Sequence, residues 1–418
     1  MNEILSFWAQ WLRPSAGLPT VQWSLLLAVA AIAGYLCQRH TGLPKVVGYS
    51  LVGTAAGLAG FSGAVWPLQG IGLFLLELGI SIVLFECGGR IPLRWFRHNP
   101  MVLVQSIAES ALTYFAVYWV LVWLDMPAHV AGPLALVALA ASPAVLTRVV
   151  ADTRAAGPVT ERAIVLATLS TLYALTLGSA RAEQINRQSI TLLDTVYPVM
   201  VVLGVSIIVA AVLSLVLRMA LRFMSPTSEN TSMLLLALIA AAPAVAAHMG
   251  GSAPLAALLG GMLLKQLNPR PWAWPRQLGN ASSLLTMLMF VLVSTVAAQA
   301  DWSGPVVGVV LTLIAVRLVA KAVGVGLGNI GSGASWRQAL WVGCAMTPMS
   351  SIALLIASQF VLASPATGHL IARVALPAIL LMEVLGAVIA TVAIYRAGES
   401  SKPWAPLSRG GNGDRSES

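Results

Sequence analysis

Two cations, Arg317 and Lys321, stand four residues apart inside the apolar run IAVRLVAKAVGVG and therefore share one helix face. A charge at membrane depth is costly, so it faces a bundle interior or a cavity where it can compensate an ion or a carboxylate. Arg317 is the deeper of the two, and Lys321 is placed to snorkel towards an interface. Four carboxylates sit in similar runs: Glu77 and Glu86 in LLELGISIVLFECGG, then Glu109 and Glu383. Glu77, Glu109 and Glu383 are expected to be structural, paired with Arg or backbone. Glu86 lies near a cytoplasmic end that a vestibule could reach, which makes it the candidate titrating group. Hydroxyls supply a third chemistry. The run VLATLSTLYALTL carries Thr168, Ser170, Thr171 and Thr176 but no acid or base beyond Tyr173. Hydroxyls and freed carbonyls coordinate Na+ or K+, although a hydroxyl in a span often bonds only its own i−4 carbonyl.

Two interrupted helices must position these groups. LVALAASPAVLTRVV is broken at Ser142-Pro143, and WVGCAMTPMSSIALLIAS at Thr347-Pro348. Proline lacks the amide hydrogen and clashes with the preceding turn, so each helix has to kink or unwind there. Freed backbone groups at membrane depth are tolerated only where protein or a water-filled cavity satisfies them. Interrupted apolar segments at corresponding places in two halves of a chain point to a secondary transporter's binding site.

Composition agrees with a membrane setting. Of 418 residues, 58% are hydrophobic and 9% charged, with mean hydropathy +0.84. A soluble domain carries about 25% charged residues, so the chain is a polytopic membrane protein. Apolar segments occur at 20–37, 43–61, 66–89, 99–124, 130–150 and 159–180. After a polar divider at 181–194 they resume at 195–223, 231–247, 253–267, 282–298, 305–327, 339–358 and 375–395. About thirteen transmembrane helices follow, at roughly 20 residues per crossing. The first repeat covers about 20–180 and the second about 195–395. Residues 1–19 read as a short interfacial helix and 396–418 as a disordered tail.

The net charge of +9 invites a nucleic-acid reading, but the basic residues alternate with apolar runs instead of lining one face. Threading thirteen spans puts eighteen Lys and Arg on one side and only Arg13, Arg181, Arg187 and Arg373 on the other. By the positive-inside rule the N-terminus lies outside and the C-terminus in the cytoplasm of an inner or plasma membrane. Cys37, Cys87 and Cys344 show neither disulfide nor metal-ligand spacing. No Ser/His/Asp grouping suggests an enzyme, and no cofactor is implied.

Several strings resemble the cation:proton antiporter superfamily, the sodium/hydrogen exchanger-type membrane domain of its CPA1 and CPA2 branches. GLPKVVGYSLVGTAAG is similar to that superfamily's second span, and ELGISIVLFECGGRIPLRWFR to its third span and basic loop. ASPAVLTRVVAD followed by VTERAIVLA resembles its broken fourth helix and the entry to its fifth. APLAALLGGMLL, the span carrying Arg317, SWRQALWVGCAMTPMSSIALLIAS and MEVLG extend the likeness over about 20–395. The resemblance implies an inverted-repeat fold with a dimerisation domain, hence a homodimer, and a core domain that moves against it. Two broken helices would cross at the midplane, bringing Ser142-Pro143 near Thr347-Pro348. A monovalent cation or protons would bind beside the crossing, with Arg317 as the charge-compensating position.

The chain departs from the superfamily at the crossing. In register from Arg162, the acidic pair of the following helix falls on Thr171 and Leu172. The Arg-Gly-Glu triplet of CPA2 members falls on Met349, Ser350 and Ser351. Without a midplane carboxylate, proton and cation cannot compete there for one titratable group. The expected ion path comprises Ser142, Pro143, Thr168, Thr171, Thr347, Pro348 and Glu86, with Arg317 and Lys321 as compensating charges. Three functions stand: monovalent cation (Na+ or K+):proton antiport with a non-standard site, transport of an anion or small organic solute on the same scaffold, and a transport-inactive membrane sensor.

Overall fold

The computed structural model describes residues 18–61, 66–68, 70–91, 93, 96, 99–185, 192–225, 228–268, 276–330 and 332–401. The interfacial helix expected over 1–19 lies outside these, apart from its last two residues, as do 186–191 of the divider and the tail from 402.

Among the described residues fifteen helices follow one another: α1 (Leu18–Thr41), α2 (Lys45–Leu58), α3 (Gly70–Gly89), α4 (Pro100–Trp123), α5 (Ala128–Leu139), α6 (Pro143–Thr153), α7 (Pro158–Gln184), α8 (Leu192–Phe223), α9 (Glu229–His248), α10 (Ala253–Leu267), α11 (Arg276–Ala298), α12 (Gly304–Leu327), α13 (Trp336–Ala345), α14 (Ser351–Ala363) and α15 (Pro365–Ala397). An apolar chain in lipid must satisfy its backbone internally, and a helix does so within each segment. Proline opens α4, α6, α7, α10, α12 and α15, where its missing amide would have no partner anyway. Ser335 and Gln338 cap the start of α13 reciprocally.

Ten segments are long and apolar enough to cross a membrane, with α5 and α6 counted as one broken span. By that measure the thirteen expected crossings are not all reached. Helices α2, α10 and α14 have 14, 15 and 13 residues and are too short for a straight crossing. The last span starts at Pro365, ten residues before the expected start at 375. The polar residues Thr367, His369 and Arg373 hide its first turns from an apolarity reading.

The helices pack in two groups. In the first, α2 lies against α1 and α11, α10 against α3 and α8, and α9 against α8 and α10. In the second, α12 packs on α4 and α13, α15 on α13 and α14, and α7 on α5, α13 and α14. The groups meet where α15 touches α2 and α11, where α6 touches α2 and α3, and where α7 touches α8. The two broken helices, α5–α6 and α13–α14, both belong to the second group. Over an apolar 18-residue stretch of α7, 83% of the residues are buried, against 11% over such a stretch of α1, which presents Leu25, Val29 and Ile32 outward. That contrast places the polar interior around α7 and the apolar exterior on α1.

Candidate functional site

Helix α5 stops at Leu139, and the chain runs non-helically through Ala140, Ala141 and Ser142 before Pro143 opens α6. Ser142 is the N-cap of α6, its hydroxyl accepting the Val145 amide at 3.4 Å. Helix α13 likewise stops at Ala345, and α14 begins at Ser351 after the segment holding Thr347-Pro348. Both breaks therefore fall where the proline spacing puts them. The second is pressed against α15 at Gly386, where an added Cβ would stand 2.6 Å from the Pro348 Cα.

A helix that ends inside a protein leaves its last carbonyls without intrahelical partners. Side chains of α12 and α7 supply the missing donors. The guanidinium of Arg317 donates from Nε to Ala138 O (2.7 Å), from Nη2 to Ala140 O (2.8 Å) and from Nη1 to Thr347 O (2.5 Å). One fully buried cation thus ties both breaks together at their carbonyl-rich ends, where the helix dipole favours positive charge. Ser170 donates to Leu139 O (2.8 Å), and Thr171 donates to Ala141 O (3.1 Å) and to its own i−4 carbonyl (2.8 Å). At these positions a carboxylate, which only accepts, could not replace the hydroxyl.

Lys321 is not at an interface. It is fully buried, and its Nζ pairs with Glu109 Oε1 at 2.5 Å and donates to Leu139 O at 3.3 Å. The expected snorkelling fails because α4 lies across the Lys321 face so closely that a Cβ on Gly324 would meet the Glu109 Cα at 2.6 Å. Glu109, expected to pair with Arg or backbone, instead takes this lysine and the hydroxyls of Ser110 (3.1 Å) and Thr113 (3.3 Å).

The remaining expected residues divide. Thr347 joins the crossing through its carbonyl, while its hydroxyl donates to Cys344 O at 2.8 Å. Thr168 is buried but donates only to Ile164 O at 2.7 Å, within its own helix. Glu86 is not brought to the crossing. It pairs with Arg90 at 2.6 Å and receives Ser282 Oγ at 3.4 Å. It does face a cavity of about 230 Å³ at the junction of the two groups, whose other wall carries Ala144, Thr147 and Arg148 of α6. Asp301, outside the spans, has its carboxyl held below the usual range by the Ser303 amide and by Arg373. No group of three or more His, Cys, Asp or Glu that could hold a metal occurs among the described residues.

Glu383 departs most from expectation. It is fully buried, and among the described residues neither Arg nor backbone is bonded to its carboxyl. Oε1 accepts from Ser50 (2.5 Å) and Ser294 (2.9 Å), and Oε2 from Ser350 (2.7 Å). In the sequence these serines carry no mark, because a lone hydroxyl in a span looks like a backbone-bonding one. The available signal was a count: four carboxylates lie in the spans against two cations, which leaves some to find other partners, hydroxyls among them.

The hydroxyls of α7 can be told apart by experiment. Thr171→Val should lower stability by about 1 kcal/mol, the worth of a typical hydrogen bond. Thr168→Val should be close to neutral, because the Ile164 carbonyl keeps its helical bond. Thermal unfolding of the detergent-solubilised protein measures both; equal losses would contradict the assignment.

A family model described as "Sodium/hydrogen exchanger, transmembrane" matches residues 27–396. Two solved structures of the sodium proton antiporter MjNhaP1 from Methanocaldococcus jannaschii superpose on the chain. One, determined at pH 8, has TM-score 0.68 and 15% identity over 91% of this chain and 98% of that one. The other, from an electron-microscopy map, has TM-score 0.68 and 17% identity over 93% and 100%. At these identities the likeness is one of fold. No curated protein sequence matches the chain.

Proposed function

Because the chain belongs to the sodium/hydrogen exchanger family, we propose that it exchanges a monovalent cation, Na+ or K+, for protons by alternating access. The observation that carries this reading is the fastening of two interrupted helices by one buried arginine, inside a region matched by the family across nearly all its length. In the proposal the second helix group, which holds both breaks, moves against the first and exposes the ion path alternately to each side. The cavity beside Glu86, Thr147 and Arg148 serves as the entrance on one side. Ser142, Pro143, Thr171, Thr347 and Pro348 form the wall of the path. Arg317 and Lys321 compensate the charge of carbonyls and carboxylate so that the path stays assembled.

The arrangement of Arg317 favours a cation over an anion as cargo. Its Nε and both terminal nitrogens are turned onto backbone carbonyls, so the guanidinium fastens the crossing instead of offering an open fork to a carboxylate or phosphate. A homodimer, and an inner-membrane setting with the N-terminus outside, belong to the same proposal. They are supported by the exposed apolar faces of α1 and α8 and by the asymmetry of the basic residues.

Everted vesicles test the function. With respiration holding the lumen acidic, adding Na+ or K+ should restore the fluorescence of a quenched pH dye beyond that of vesicles lacking the protein. Identical traces with and without the protein, for both cations, would refute the proposal.

A further inference from the structure

We propose that Glu383, Ser50, Ser294 and Ser350 form the exchange site at which one proton and one alkali cation, Na+ or K+, compete. The inference rests on the antiport reading and locates the acid that the crossing itself lacks.

The chemistry starts from what the crossing offers. Arg317 is fully buried there, and Lys321 is neutralised by Glu109. The helix N-termini of α6 and α14 add partial positive charge. A lone alkali cation at the crossing would therefore face Arg317 without a carboxylate to offset it. The nearest carboxylate joined to the breaks by a hydrogen bond is that of Glu383, through Ser350, the N-cap residue of α14.

At that point five side-chain oxygens converge: two from the carboxylate and one from each serine. An oxygen set of one negative charge and several neutral hydroxyls suits a monovalent cation stripped of water, because hydroxyls both donate and accept. They donate to the carboxylate in this structure and can turn lone pairs to a cation that replaces the proton. Ser351, next in the chain, has a buried hydroxyl without a hydrogen-bond partner among the described residues, a spare oxygen at the same helix start.

The charged and titratable groups on the neighbouring helices leave this carboxyl alone. Helix α2 carries Lys45 and Tyr49, α5 His129, α6 Arg148 and Asp152, α7 Glu161, Arg162, Tyr173, Arg181 and Glu183, α12 Arg317 and Lys321, and α13 Arg337 and Cys344; α11 carries only Arg276, at its start, α14 none, and α15 itself His369, Arg373, Tyr395 and Arg396. Among the described residues none of them is ion-paired or hydrogen-bonded to Glu383, so no fixed cation occupies the place of an exchangeable one.

Position gives the site its coupling. Ser350 and Glu383 belong to the second helix group, while Ser50 on α2 and Ser294 on α11 belong to the first. The site therefore straddles the surface along which the groups would slide. An apolar cleft of about 400 Å³ opens between the same helices at Thr54, Ala298, Leu380 and Val384, each within about one turn of the serines and the carboxyl. Loading the site with a cation instead of a proton changes the bonds that join the two groups.

Cation-dependent thermal stabilisation of the purified, detergent-solubilised protein tests the site without requiring transport. NaCl or KCl should raise the unfolding temperature above that in equimolar choline chloride, and the rise should shrink as pH falls and protons compete. Glu383→Gln should lose this increment. Ser294→Ala, which keeps the carboxyl, should need a several-fold higher cation concentration for half the effect. It decides the matter if Glu383→Gln does not fold. Wild-type protein indifferent to both cations, or variants with an unchanged increment and half-effect concentration, would overturn the proposal. Vesicles with no cation-driven proton flux would instead count against antiport itself.

Discussion

Arg317→Met is expected to abolish transport and to destabilise the protein more than any other single change at the crossing. The substitution removes three charge-assisted bonds at once and leaves the carbonyls of Ala138, Ala140 and Thr347 buried. An unsatisfied buried acceptor costs about 1–3 kcal/mol, so the sum is several kcal/mol even after some relaxation. Arg317→Lys should recover only part of this. An ammonium is a point donor on a flexible stem and cannot span three carbonyls on two separate segments. Thermal unfolding and vesicle flux, measured on both variants, check the order wild type, Lys, Met. A methionine variant with normal flux would mean that the breaks are held together by something other than the guanidinium.

The second large effect concerns the buried pair on α12 and α4. Lys321→Met leaves Glu109 with only Ser110 and Thr113, and Glu109→Leu leaves Lys321 with only the Leu139 carbonyl and the Ser170 hydroxyl. Removing one partner of a buried ion pair typically costs about 3–5 kcal/mol, because the other charge stays behind without compensation. Replacing both by apolar residues of similar volume is often close to neutral. The double variant should therefore be more stable than either single one, a strongly non-additive cycle between residues in direct contact. If its flux recovers as well, the pair is structural. If stability recovers while flux does not, the Lys321 ammonium also acts on the ion path through Ser170 and the Leu139 carbonyl, with which it is in contact.

These cases show what a sequence can and cannot disclose. The breaks were legible because Ser142-Pro143 and Thr347-Pro348 interrupt apolar runs at corresponding places in the two halves; proline alone does not mark them, since Pro133, Pro198, Pro243 and Pro377 lie inside continuous helices. That Arg317 is buried was legible too, since an apolar run around a guanidinium admits few alternatives. Its partners were not. Ala138, Ala140 and Thr347 contribute backbone oxygens, which every residue possesses, so nothing in their identity marks them. Lys321 was misjudged because its depth depends on α4, more than 200 residues away in the chain, packing across it at Gly324. Glu86 is the acid that the sequence places closest to an aqueous end, and the structure gives it Arg90 one turn on. Glu383 reads in the sequence as a structural carboxylate paired with Arg or backbone; its three serine partners come from α2, α11 and the start of α14, a convergence that only the fold reveals. The loss of the acidic pair at Thr171 and Leu172 was plain from the register. What the hydroxyl does there became plain only once Thr171 was seen to reach the Ala141 carbonyl.

Antiport itself is tested most directly with the purified chain in proteoliposomes that enclose a pH-sensitive dye in an acidic lumen. External NaCl or KCl should raise the internal pH, choline chloride should not, and exchanging chloride for gluconate should leave the response unchanged. A lumen that keeps its pH with both cations, or a response that follows the anion, would contradict the exchange of a monovalent cation for protons.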